Sequence, residues 1–137
     1  MSRIINTDST GKQRSQLTKA VAIALRQLAQ QTEFGDEARD LAAFIALALK
    51  AIHDRIDPSV AAWEKRGYWL KADRFRMEWA WAAPMSTRMT AAVIRGDWSA
   101  VAETSVQIAQ RLGSIQVGSG ARVGKPWEGA FERLQGG

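Results

Sequence analysis

The chain of 137 residues contains no cysteine and a single histidine, His53. The absence of cysteine excludes disulfides, zinc–thiolate sites and thiol catalysis. One histidine without a Glu-x-x-His pattern does not supply the ligands of a metal site, so His53 is interpreted as a structural or partly exposed residue. The sequence therefore predicts no metal and no cofactor.

Long apolar segments are absent as well. The longest run, Leu41–Leu49, falls far short of the roughly 20 residues that a membrane-spanning helix requires. Residues 1–14 are polar and lack the apolar region of a signal peptide. From these two observations we expect a cytoplasmic protein that has no membrane partner.

The motifs of common catalytic sites are also missing. The sequence has no Gly-x-Ser-x-Gly elbow, which a serine hydrolase of that class requires. The glycine-rich segment 118–125 is not a phosphate-binding loop, because Ser119 stands where the Walker pattern has glycine and Pro126 where it has serine or threonine. We interpret this segment as a connector. The absences together favour a non-enzymatic protein.

What the sequence does contain is a succession of amphipathic helical segments. Apolar residues at three- and four-residue spacing predict helices over about 12–31, from 36 to the Asp57-Pro58 boundary, and over 58–82, 86–95 and 98–112. The predicted fold is all-α. It is a single-domain bundle of about five helices at 12–112, with a flexible N-terminal arm at 1–11 and a glycine-rich tail at 113–137. The tail is expected to carry a short helix docked by Trp127 and Phe131.

Glycine, proline and aspartate mark the predicted ends of these helices. The breaks are expected at Gly35, Asp57-Pro58, Ala83-Pro84, Gly96-Asp97 and Gly113. Gly67 lies inside the predicted third helix and is expected to weaken or kink it. The second helix is apolar on most of its circumference, which places it at the centre of the bundle.

The segment 63–81, WEKRGYWLKADRFRMEWAW, holds four of the six tryptophans and the only tyrosine. On one continuous helix these side chains form two apolar stripes on roughly opposite sides, separated by charged stripes. The second stripe requires a cover, which could be the rest of the bundle, a second copy of the chain or another macromolecule. The candidate interface residues are Trp63, Tyr68, Trp69, Phe75, Arg76 and Trp79.

The net charge of +5 is concentrated near the N-terminus. A basic balance favours contact with nucleic acid or another anion. The candidate residues for nucleic-acid or anion contact are Arg3, Lys12, Arg14, Lys19 and Arg26. Segment 63–81 also mixes rings with basic side chains, as single-stranded nucleic acids require, but its interleaved acids reduce its net charge.

These observations favour a non-enzymatic helical binding or assembly subunit. We expect it to be a homo-oligomer or part of a larger protein complex, with nucleic acid as a possible partner. The alternative is a small-ligand binder or helical enzyme with an aromatic-lined pocket near Trp63, Tyr68 and Trp79.

Overall fold

The structure is a computed structural model that describes residues 7–113 and 125–136, and within those ranges it contains helices and turns but no strand. In chain order the helices are α1 (Thr7–Ala29), α2 (Asp36–Asp54), α3 (Ile56–Lys65), α4 (Trp69–Trp79), α5 (Ala82–Arg95), α6 (Trp98–Leu112) and α7 (Ala130–Gly136). The predicted all-α, single-domain bundle is confirmed. The bundle has one helix more than expected because the predicted third helix is divided into α3 and α4. The segment of the tail in which a short helix is expected contains α7.

Helix α2 lies at the centre of the bundle, as its nearly continuous apolar circumference predicts. It packs against α1, α5 and α7, and α5 in turn packs against α6. Leu41, Ile45, Leu49 and Ile52 of α2 are completely buried. The hydroxyl of Ser86 donates a 2.7 Å hydrogen bond to the carbonyl oxygen of Ala46, which joins α5 to α2 within the core.

The turn between α5 and α6 confirms the predicted break at Gly96-Asp97. Gly96 adopts a left-handed conformation with φ of 68°, which glycine accepts without the steric penalty of a Cβ atom. The Asp97 side chain accepts a 3.1 Å hydrogen bond from the Ala100 backbone N–H and so caps the first turn of α6.

Other helix ends differ from the expectation. Helix α1 begins at Thr7, so Thr7–Gly11 are helical, although the sequence assigns them to the arm. Pro84 does not separate two helices but lies in the first turn of α5, where a missing N–H has no intrahelical partner to lose. Residues 1–6 and the glycine-rich segment 114–124 lie outside the described residues, so the predictions for the rest of the arm and for that connector stay predictions.

The C-terminal helix docks on α2 through both apolar and polar contacts. Trp127 is buried in the main core, and Phe131 is partly buried and packs against it. The carboxylate of Asp40 accepts hydrogen bonds from the backbone N–H groups of Gly129 at 3.1 Å and Phe131 at 3.0 Å. Asp40 lies near the start of α2, where a carboxylate complements the helix dipole, and its two bonds also anchor the start of α7.

Candidate interaction surface on the α3–α4 hairpin

Gly67 divides the predicted third helix completely. It has φ of 80°, the left-handed conformation that follows many helix ends. The Gly67 N–H donates to the Glu64 carbonyl oxygen at 3.0 Å, and the Tyr68 N–H donates to the Trp63 carbonyl oxygen at 2.9 Å. This pair of bonds is a Schellman motif, which ends α3 and reverses the chain. The expectation of one helix with two opposite apolar stripes is therefore wrong, and residues 56–79 form the α3–α4 hairpin instead.

The hairpin has a small core that is separate from the main one. Its buried members are Ile56, Val60, Ala72 and Phe75. Trp63 packs against this cluster, with its ring edge-to-face to Phe75 at a centroid distance of 4.9 Å. Trp79 packs against both cores and so joins the hairpin to the bundle. These contacts account for the inner face of α4.

The outer surface of the hairpin carries four large apolar side chains that are exposed to solvent, among exposed charged side chains such as Asp73 and Arg74. The exposed fractions are 55% for Tyr68, 60% for Trp69, 65% for Leu70 and 77% for Met77. We call these four residues the exposed patch. Leu70 and Met77 are seven residues apart and lie on the face of α4 opposite the buried Ala72 and Phe75. No part of the described chain covers this second apolar face.

Three residues of the exposed patch, Tyr68, Trp69 and Leu70, line a groove at the tip of the hairpin. Its volume is about 580 Å³. The aromatic side chains that line it are Trp63, Tyr68, Trp69 and Phe75, and the charged ones are Lys71, Arg74 and Glu78. The Nζ atom of Lys71 lies 4.7 Å from the centroid of a Trp63 ring, a cation–π contact. The groove therefore combines accessible rings with positive charge.

Ion pairs occupy two of the acidic side chains of the hairpin. The Arg76 guanidinium lies 3.1 Å from a Glu64 carboxylate oxygen and 3.4 Å from an Asp73 oxygen. Within residues 11–113 and 125–136, Lys65, Arg66 and Arg74 have no ion-pair partner. The charges left uncompensated around the hairpin tip are therefore mainly positive.

Arg14 connects α1 to the hairpin. Its guanidinium carbon lies 4.6 Å from the centroid of the Phe75 ring. Burial lowers the pKa of the Arg14 guanidinium, and the electrostatic interaction with the Glu78 carboxylate opposes that shift. This side chain thus has a packing role between α1 and α4.

The six candidate interface residues lie on the same hairpin but in different environments. Tyr68 and Trp69 belong to the exposed patch, whereas Phe75 is buried and Trp63 and Trp79 are partly buried. Arg76 holds the ion pairs with Glu64 and Asp73. The pattern of aromatic residues in the sequence does not show that Leu70 and Met77 are exposed as well. Their exposure depends on the break at Gly67, which the pattern does not reveal.

The basic candidates are also divided. Lys12, Lys19 and Arg26 are exposed, and their seven-residue spacing places them along one face of α1. We call these three residues the α1 basic stripe. Arg14 lies on a different face of α1, against Phe75. Arg3 lies outside the described residues.

In the part of the chain that the structure describes, no three metal-ligating side chains come together, and His53 is exposed. None of the helices in that part has the length and hydropathy needed to cross a bilayer. No protein-family model matches the chain, and neither a curated protein nor a solved structure is significantly similar to it.

Proposed function

We propose that the chain is a non-enzymatic binding subunit that joins a larger assembly through its α3–α4 hairpin. The observation that carries this proposal is the exposed patch of Tyr68, Trp69, Leu70 and Met77, each more than half exposed. Single exposed apolar residues are common, but clusters of large ones characterise interaction surfaces. Tyrosine, tryptophan and methionine are also enriched at such surfaces.

The exposed patch contributes little to the stability of the fold. The hairpin core is formed by the opposite face of α4, through Ala72 and Phe75. Substituting Trp69 or Leu70 should therefore leave the folded state intact. This separation makes the proposal testable, because a loss of binding can be distinguished from a loss of structure.

Site-specific photo-crosslinking tests the proposal whatever the identity of the partner. A photoreactive phenylalanine analogue replaces Tyr68 in one variant and Ser99, an exposed residue of α6, in a matched control. Both are expressed in cells that naturally contain the protein and are irradiated there. We expect strong adducts from position 68 and few from position 99. Equal yields at the two positions, or none at either, would contradict the proposal.

The mass of the adduct and its sensitivity to nuclease and protease identify the class of partner. A doubled mass indicates a second copy of the chain, which light scattering of the purified protein would check independently. Sensitivity to nuclease indicates nucleic acid, and sensitivity to protease alone indicates a different protein. Each of these results supports a binding subunit and assigns its partner.

A small-ligand binder is the second candidate, because the groove has the volume of a typical ligand site and is lined by rings. Ligand binding to the folded state raises the melting temperature in proportion to the logarithm of ligand concentration. Thermal denaturation with a library of planar metabolites would test this function. If no compound raises the melting temperature, the second candidate is eliminated.

A further inference from the structure

Around the groove, most of the acidic side chains interact with basic ones, whereas several basic side chains have no acidic partner. Glu64 and Asp73 are both paired with Arg76, and Glu78 interacts electrostatically with Arg14 of α1. By contrast, Arg66 and Arg74 have no ion-pair partner in the described part of the chain. Two of the three acids share the single positive charge of Arg76, and the four other basic residues of segment 63–81 outnumber Glu78, so the charge balance at the hairpin stays positive. A partner at this surface meets positive charge.

The accessible rings lie among these cations. Tyr68, Trp69, Lys71 and Arg74 line the same groove, and both rings are more than half exposed. Aromatic side chains offer faces for stacking, while arginine and lysine beside them contact anionic groups. The groove therefore fits a polymer in which flat rings alternate with negative charges.

We infer that the hairpin binds single-stranded nucleic acid, an inference that rests on the proposed function. Bases would stack on Tyr68 and Trp69, and phosphates would contact Arg74, Lys71 and Arg66. A duplex fits less well, because its bases are stacked on one another and are not free to meet the rings. An acidic protein segment satisfies the charge but offers no regular alternation of rings and anions. The overall charge of +5 attracts a polyanion from a distance.

The main contact with nucleic acid would then lie on the hairpin, whereas the sequence places it on the basic residues of α1. The α1 basic stripe of Lys12, Lys19 and Arg26 is exposed, so it can contribute long-range attraction and phosphate contacts. It contains no aromatic residue, however, and so offers no ring on which a base could stack. The stacking component of binding must come from the hairpin.

Fluorescence anisotropy of the full chain with a labelled oligothymidylate of about 12 nucleotides, at low salt, tests the inference. The Trp69→Ala variant removes a ring on which one base would stack, so it should raise Kd by about ten- to a hundredfold. Trp69→Phe should restore most of the affinity, because the ring is retained. Arg74→Gln should weaken binding and reduce the slope of log Kd against log salt by about 0.7, the value for one phosphate contact on a single strand.

Matched controls separate the hairpin from general basicity. Phe34→Ala removes a similarly exposed ring that stacks on Trp98, away from the groove. Arg111→Gln removes an exposed cation of α6. Both variants should bind the oligonucleotide like the unaltered chain. Lys19→Gln should reduce the slope of log Kd against log salt. It should not change the factor by which Trp69→Ala raises Kd.

Several results would overturn the inference. These are the absence of oligothymidylate binding at low salt, losses from Phe34→Ala as large as those from Trp69→Ala, and equal, Trp69-dependent binding of polyglutamate. If position 68 crosslinks to protein while no oligonucleotide binds, the inference is wrong and the proposed function stands. If neither binding nor position-specific crosslinking is observed, both are wrong.

Discussion

The anchoring of α7 by Asp40 leads to a quantitative prediction about stability. One carboxylate accepts two backbone hydrogen bonds, from Gly129 at 3.1 Å and Phe131 at 3.0 Å. These are charge-assisted bonds that join parts of the chain far apart in sequence. Replacing Asp40 with alanine removes both acceptors and leaves two N–H groups at the start of α7 without a partner.

The expected cost follows from these two bonds. A hydrogen bond to a charged group contributes about 1.5–3 kcal/mol, with lower values where solvent can replace the lost partner. Asp40 is partly buried, so solvent replaces part of the lost interaction; we take about 1–2 kcal/mol for each bond and expect Asp40→Ala to lower the free energy of unfolding by about 2–4 kcal/mol. Asp40→Asn retains one oxygen acceptor and should cause roughly half of that loss.

Urea denaturation measures this change directly. With a slope of about 2 kcal/mol per M urea, the middle of the usual range, the midpoint for Asp40→Ala should fall by roughly 1–2 M. Hydrogen exchange adds a local readout, because the amides of Gly129 and Phe131 should lose protection before those of α2. Asp36→Ala is the matched control, since its carboxylate is fully exposed on the same helix and lies 4.0 Å from Arg39. If Asp40→Ala and Asp36→Ala shift the midpoint equally, Asp40 does not anchor α7.

Two further predictions concern the hairpin. Gly67→Ala should destabilise the protein by about 1–2 kcal/mol, because alanine is strained at φ of 80°. The strain is in the backbone alone, since the added Cβ would meet no atom within 4 Å. Gly35→Ala is the control: its φ is −92°, so the substitution should change the urea midpoint little. Phe75→Ala should cost about 3–5 kcal/mol and expose the amides of α3 and α4 to hydrogen exchange before those of α2, because the ring fills the hairpin core. Equal effects of the two glycine variants, or simultaneous exposure of all helices, would contradict these expectations.

The parts of the fold that could be predicted depend on local signals. Gly96 supplies the left-handed residue and Asp97 the cap acceptor, and both act within one helical turn of their own positions. The position of α2 follows similarly from its own apolar circumference. Trp127 and Phe131 also indicate docking, because large rings in a short polar segment are most stable when buried.

The remaining features depend on contacts that sequence spacing does not contain. Asp40 lies near the start of an acidic helix, so complementing the dipole is a sufficient local explanation, and its bonds to Gly129 and Phe131 arise only from the packing of α7. Gly67 presents a real ambiguity. A glycine inside an amphipathic helix costs only about 1 kcal/mol, so propensity does not decide between a weakened helix and a chain reversal.

That ambiguity also determines the candidate surface. In a continuous helix, Leu70 and Met77 would share a stripe with Val60 and Trp63, and burying one end of the stripe would favour burial of the other. The Schellman motif at Gly67 breaks this continuity, so Val60 is buried in the hairpin core while Leu70 and Met77 are exposed. Because α4 packs its Ala72 side inward, the reversal that forms the small core also turns the outer face of α4 to solvent beside Tyr68 and Trp69. A protein under selection for folding alone could place polar residues at these positions at little cost to stability, and the proposed binding role would explain why they are apolar.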